Sequence, residues 1–238
     1  MLIAATYIPG QAAANTNGVG SLTFERSQWH MGSMQKATNL RNICVYCGSG
    51  PGRNKAFAEA ARDFGRILAA ESIGLVYGGG SLGLMGETAR SVIRHGGRVT
   101  GIIPAFLSAR EHMLLEAHEL IVVENMHQRK HLMFMKSDAF VALPGGLGTL
   151  EEFVEQLTWS QLEQHQKPIV LANIDGFWDP LLSLFARMRE ESFIRPGLEL
   201  HLEVVDRVDA IIPAITRALI PRDETAEAEA EAKVTAKF

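Results

Sequence analysis

The feature that most constrains this chain is an alternation of short apolar runs with segments of helix length. The runs are 42–47, 74–77, 98–103, 119–123, 139–143 and 168–172, with a further extended stretch at 201–205. Between them, helical spacing of apolar residues is expected at about 55–71, 86–95, 126–135, 150–162, 178–190 and 208–219. Runs that are apolar on both faces need cover on both sides, as strands of a parallel sheet sandwiched by helices have. Right-handed crossovers then follow from the twist of the strands. The expected architecture is α/β: a Rossmann-like doubly wound parallel sheet of about six to seven strands with helices on both faces.

Three glycine-rich turns each follow a strand: 48–52, 78–86 and 145–148. In an open parallel sheet they gather at the carboxyl edge, where ligands bind. The third turn is the most informative. Pro144-Gly145-Gly146-Leu147-Gly148-Thr149-Leu150-Glu151-Glu152 leads from the apolar run 139–143 into an amphipathic segment with Leu150, Phe153, Val154, Leu157 and Leu162 on one side. Glycines let backbone N–H groups approach an anion, and a helix N-terminus adds partial positive charge. Thr149 is the expected N-cap, its hydroxyl serving the helix or a phosphate oxygen. Thr149-x-x-Glu152 has capping-box spacing, so Glu152 either folds back on the cap or does chemistry. None of the turns fits Gly-x-Gly-x-x-Gly with a following acid, nor a phosphate loop ending in Gly-Lys-Ser/Thr. Dinucleotide and ATP chemistry are not supported.

At 238 residues with 47% hydrophobic content, the chain is long enough for one sizeable core. The expected organisation is a flexible leader at 1–38, one catalytic domain at 39–221 and an acidic low-complexity tail at 222–238. Met31 and Met34 are alternative start positions on this reading. A formal net charge of -4 gives no basic footprint, so no nucleic-acid partner is expected. No apolar run approaches the roughly 20 residues of a membrane span, and the first residues lack the basic stretch of a secretory signal. No membrane partner and a cytoplasmic location are therefore expected. Cys44 and Cys47 lack the second pair of a metal site and sit on an apolar strand, which favours packing over redox chemistry. Arg129 and Lys130 begin a helix after a strand; they are solvated surface cations, or they face Glu152 and an anionic substrate.

Cys47-Gly48-Ser49, Tyr77 to Gly86, Met126-His127-Gln128-Arg129-Lys130, Pro144 to Glu152, Thr158-Trp159-x-Gln161-Leu162 and His165-x-Lys167-Pro168 together resemble the Lonely Guy family. Its members are cytokinin riboside 5′-monophosphate phosphoribohydrolases, often labelled "lysine decarboxylase-like". The resemblance spans about 42–195. It implies a Rossmann-like homodimer that hydrolyses the N-glycosidic bond of an N6-substituted adenosine 5′-monophosphate, or of AMP, to free base and ribose 5-phosphate. It implies Arg129 and Glu152 as the catalytic pair, with no metal and no cofactor. It also implies nucleotide contacts at Glu111, Arg129, Lys130, Gly145, Gly146, Leu147, Gly148, Thr149, Leu150, Glu151 and Thr158. Leu147 departs from the family, where tyrosine is frequent. Two rivals stand beside this reading. A non-catalytic nucleotide-binding module would bind AMP without turnover. An amino-acid decarboxylase would need a Schiff-base lysine and a cofactor site, and no lysine has a convincing context for either.

Overall fold

The computed structural model describes residues 40–108, 112–194 and 200–220. The elements in chain order are β1 (Asn42–Tyr46), α1 (Lys55–Ala70), β2 (Gly74–Tyr77), α2 (Gly83–Arg94), β3 (Val99–Pro104), α3 (Ala105–Ser108) and β4 (Glu119–Val123). They continue with α4 (Met126–Met135), β5 (Ala139–Ala142), α5 (Leu147–Gln161), β6 (Ile169–Ala172), α6 (Asp179–Glu190), β7 (Glu203–Val205) and α7 (Ile211–Ala218). All described residues fall within one compact unit. The expected leader at 1–38 and tail at 222–238 lie outside the described residues.

The seven strands form one sheet, ordered β4-β3-β2-β1-β5-β6-β7, and every pairing is parallel. The chain builds outward from β1 to β4, then returns to β1's other side and builds outward again to β7. The order therefore reverses between β1 and β5, paired Ile43 to Ala139 and Tyr46 to Ala142. That reversal opens a crevice at the carboxyl ends of these two strands. The two turns beyond it are tied together, since Gly48 N–H donates to the Pro144 carbonyl at 3.1 Å.

Strand alternation divides the core in two. Ile43, Val45 and Cys47 point into a cluster with Phe64 and Leu68 of α1, Leu84 of α2 and Ile215 of α7. Cys44 and Tyr46 point the other way, toward Met133 of α4, Phe153 and Leu157 of α5 and Phe185 of α6. Burying each large side chain contributes about 1.5–3 kcal/mol, so both layers are needed to hold the sheet. Cys44 on β1 and Cys47 just past it are free and buried in opposite layers of the core, which fits packing residues. Among the described residues no helix is long and apolar enough to cross a membrane.

Four local expectations change, the first being α2, which starts at Gly83 and not at 86. The α5 helix starts at Leu147, three residues earlier than its apolar pattern indicates, because the pattern cannot register Gly148. A four-residue helix, α3, forms in a segment that shows no periodicity. The last helix opens as a 3-10 turn, Val208–Ala210, before α7.

Candidate active site

Arg129 is the centre of the carboxyl edge. Asn125 caps α4, its side chain accepting from Gln128 N–H at 2.9 Å, and this fixes where the helix begins. Arg129 and Met133 then share the buried face of α4 at i,i+4 spacing. The guanidinium reaches under the sheet edge: Nε donates to the Ile102 carbonyl at 3.2 Å and Nη2 to the Gly78 carbonyl at 3.3 Å. Gly78 makes this possible, because a Cβ there would collide with the guanidinium. A glycine that looks like part of a ligand loop thus makes room for an arginine.

The remaining arm, Nη1, lies 3.5 Å from Oε1 of Glu152, and the two side chains are only 7% and 10% exposed. This is longer than the roughly 2.7–2.9 Å of a charge-assisted hydrogen bond. The carboxylate is held beside a positive charge at ion-pair distance. Here the capping expectation is corrected. Gly146 is the N-cap of α5, so Thr149 is not; it lies inside the first turn, buried. With the helix begun at Leu147, Glu152 is no longer three residues after a cap, and its side chain turns to Arg129 instead.

Pro144, Gly145 and the start of α5 form the rim beside this pair. A Cβ on Gly145 would strike the Thr149 side chain, whereas Gly146 and Gly148 have open space where a Cβ would stand. Leu147 is 85% exposed at the same rim. Free N–H groups of the first turn point toward this space, as at any helix start.

The other expected contacts divide. Lys130 donates from Nζ to Glu151 at 2.5 Å and to Glu155 at 2.9 Å. Burial opposes its charge, but these hydrogen bonds more than offset that and raise its pKa. It therefore bridges α4 to α5. Leu150 packs partly buried against the core. Thr158 is exposed on α5, and its hydroxyl donates to the Val154 carbonyl at 2.9 Å. Glu111 lies outside the described residues. Among the described residues, no group of three or more His, Cys, Asp and Glu side chains could hold a metal ion.

Beneath the pair, Tyr46 at the end of β1 is almost fully buried. Burial first, then the neighbouring Cys44 and Glu152, push its phenol well above the ordinary value, so it stays protonated. The motif His165-x-Lys167-Pro168 is structural. His165 places Nε2 3.2 Å from the Gln156 carbonyl and accepts Lys167 N–H on Nδ1 at 3.1 Å, an arrangement that fits a neutral ring. Burial lowers its pKa. Lys167 donates to the Phe134 carbonyl at 2.7 Å and lies 3.8 Å above the Phe134 ring.

Residues 85–215 match the family described as "possible lysine decarboxylase". The chain is 48% identical over 165 residues to a probable cytokinin riboside 5′-monophosphate phosphoribohydrolase of Oryza sativa subsp. japonica, covering 69% of this chain and 68% of that one. It is 49% identical over 164 residues to a cytokinin riboside 5′-monophosphate phosphoribohydrolase of Arabidopsis thaliana, covering 69% and 76%. Among solved structures, the molybdenum cofactor carrier protein of Chlamydomonas reinhardtii superposes with a TM-score of 0.57 at 24% identity, over 76% of this chain and 99% of that one. That last likeness bears on the fold alone.

Proposed function

The chain belongs to the Lonely Guy family of cytokinin riboside 5′-monophosphate phosphoribohydrolases, and from that premise we propose how its carboxyl edge carries out the hydrolysis. The substrate is an N6-substituted adenosine 5′-monophosphate or AMP. Water adds across the bond between ribose C1′ and the base nitrogen: the hydroxyl goes to C1′, and the base leaves with a proton. The products are free base and ribose 5-phosphate.

The observation that carries the assignment is the buried Arg129–Glu152 ion pair beside the open first turn of α5. The turn from Gly145 to Thr149 receives the 5′-phosphate on backbone N–H groups and the helix N-terminus. That contact lies away from the reacting bond and fixes the ribose over Glu152. Cleavage develops oxocarbenium character, which a carboxylate beneath the sugar stabilises. The same carboxylate takes the proton of the attacking water, an effect worth roughly 10²–10⁴-fold. Arg129, anchored on two backbone carbonyls, keeps Glu152 ionised and oriented. Lys130 and Glu151 border the phosphate turn, and Leu147 lines its mouth. The reaction as written consumes only water, so the proposal includes no cofactor.

We place the enzyme in the cytoplasm as a homodimer. Two free buried thiols suit a reducing compartment. For the dimer, exposed Met135 and Leu162 and an open cleft of about 340 Å³ lined by His131, Phe134, Trp159 and Gln164 leave an apolar face on α4 and α5.

Chromatographic turnover assays on Glu152→Gln test the reading, because the variant keeps the shape and removes the charge. A loss of base release of at least roughly 10²-fold is expected. Turnover near that of the unaltered enzyme would sink the assignment. Binding of AMP without turnover by the unaltered protein would point to a non-catalytic module instead.

A further inference from the structure

The buried side of α5 is not uniformly apolar. Beside Phe153 and Leu157 runs a second row, Thr149, Glu152, Gln156 and Ser160, each buried. Glu152, Gln156 and Ser160 are spaced four apart, so their side chains stack one turn above another on one helix face. Gln156 is the anomaly in this row. Its residue is 1% exposed, and neither its amide oxygen nor its amide nitrogen has a hydrogen-bond partner among the described residues. A buried amide left unpaired is costly, and a leucine or methionine would fill the same space without that cost.

We propose that Gln156 is a positioning residue for Glu152: during turnover its amide N–H donates to the Glu152 carboxylate from the turn below. The inference rests on Glu152 being the catalytic carboxylate. Geometry favours it in two ways. The Arg129 contact at 3.5 Å leaves the carboxylate room to move, and two of the three guanidinium nitrogens are committed to Ile102 and Gly78. A donor at i+4 on the same helix face stands one turn from the carboxylate, within reach of a small side-chain movement. Titratable groups that feel the Glu152 charge include Tyr46, Cys44 and Cys47 on and just past β1. Burial keeps all three in their neutral forms. An amide at 156 would favour the ionised carboxylate by donating to it without adding a second charge beside Arg129.

The test uses the full chain with Gln156→Met and Gln156→Leu, assayed for base release across pH and melted in parallel. Both variants are expected to fold with melting temperatures at or above that of the unaltered protein. Their kcat should fall roughly 10- to 100-fold with little change in KM, because the phosphate turn is untouched. The acid limb of the rate profile should move to higher pH, since a carboxylate that loses a donor is easier to protonate. A kcat within twofold of the unaltered enzyme and an unmoved acid limb in either variant would overturn the proposal. So would a clear drop in melting temperature in both, which would mean the amide has structural partners. If Glu152→Gln also retains turnover, the catalytic assignment itself fails; if only the Gln156 variants do, the positioning role alone fails.

Discussion

The two long glycine-rich turns at the carboxyl edge look alike in sequence and differ in what stands against them. In the turn after β2, the glycines are crowded. A Cβ on Gly78 would meet the Arg129 guanidinium, one on Gly83 would meet the Ser49 backbone, and one on Gly86 would meet the Ser81 carbonyl. In the turn before α5, Gly146 and Gly148 face open space, and only Gly145 is hemmed in. The first turn is glycine-rich so that protein can pack on protein. The second leaves its backbone bare, as the proposed phosphate site requires. A glycine motif therefore says that the backbone must be approached closely, and only packing says by what.

Gly83→Ala is the substitution expected to do most damage. It adds a Cβ at φ +57° as well as the backbone collision. Destabilisation of about 3 kcal/mol or more is expected in urea denaturation. A fully stable variant would break the contrast at once. Removing Arg129 comes next, because it links the two turns. Arg129→Ala should cost about 3–5 kcal/mol by stranding the buried Glu152 charge, and the double variant Arg129→Ala, Glu152→Gln should recover part of that. Gly148→Ala should act in the opposite sense on stability. It replaces a first-turn glycine in open space, so a gain of up to about 0.5 kcal/mol is expected. On the proposed site the methyl group would intrude on the phosphate, so kcat/KM for the monophosphate should fall roughly tenfold. A variant both more stable and equally active would take the ligand away from this turn.

The smallest effect belongs to the far end of α5. His165 has its pKa lowered from the ordinary 6.5, first by burial, with the Gln156 carbonyl opposing and Lys167 adding to the fall. The folded state therefore binds a proton less readily than the unfolded chain. Its contribution to stability is complete above about pH 6.5 and is lost as the pH falls from there through the lower folded value. Melting curves from pH 7.5 down to 5 should show the unaltered protein losing more than His165→Gln.

Much of this fold is legible in the residues. The apolar runs give β1 to β6 to within a residue or two, because strands buried on both faces need continuous apolar sequence. The start of α5 is not, since Gly146 and Gly148 carry no side chain for a periodic pattern to register. The Arg129–Glu152 pairing comes from the family resemblance and could not come from spacing, because 23 positions separate the residues and only the reversal between β1 and β5 brings their elements together. Lys130 reads in sequence either as a solvated cation or as one facing Glu152 and an anionic substrate, and it is clamped by two carboxylates on α5. Gln156 escapes notice for a different reason. The apolar stripe of α5 marks only part of what the helix buries, and a polar residue four positions after Glu152 was the available signal.

The most direct test of the central claim is the ratio of kcat/KM for isopentenyladenosine 5′-monophosphate to that for isopentenyladenosine, measured by base release. If the open turn before α5 holds the phosphate and that contact sets the ribose over Glu152, the monophosphate should be preferred on the order of 10³-fold or more. Equal hydrolysis of nucleotide and nucleoside would contradict the account, because the turn would then contribute nothing to the reaction.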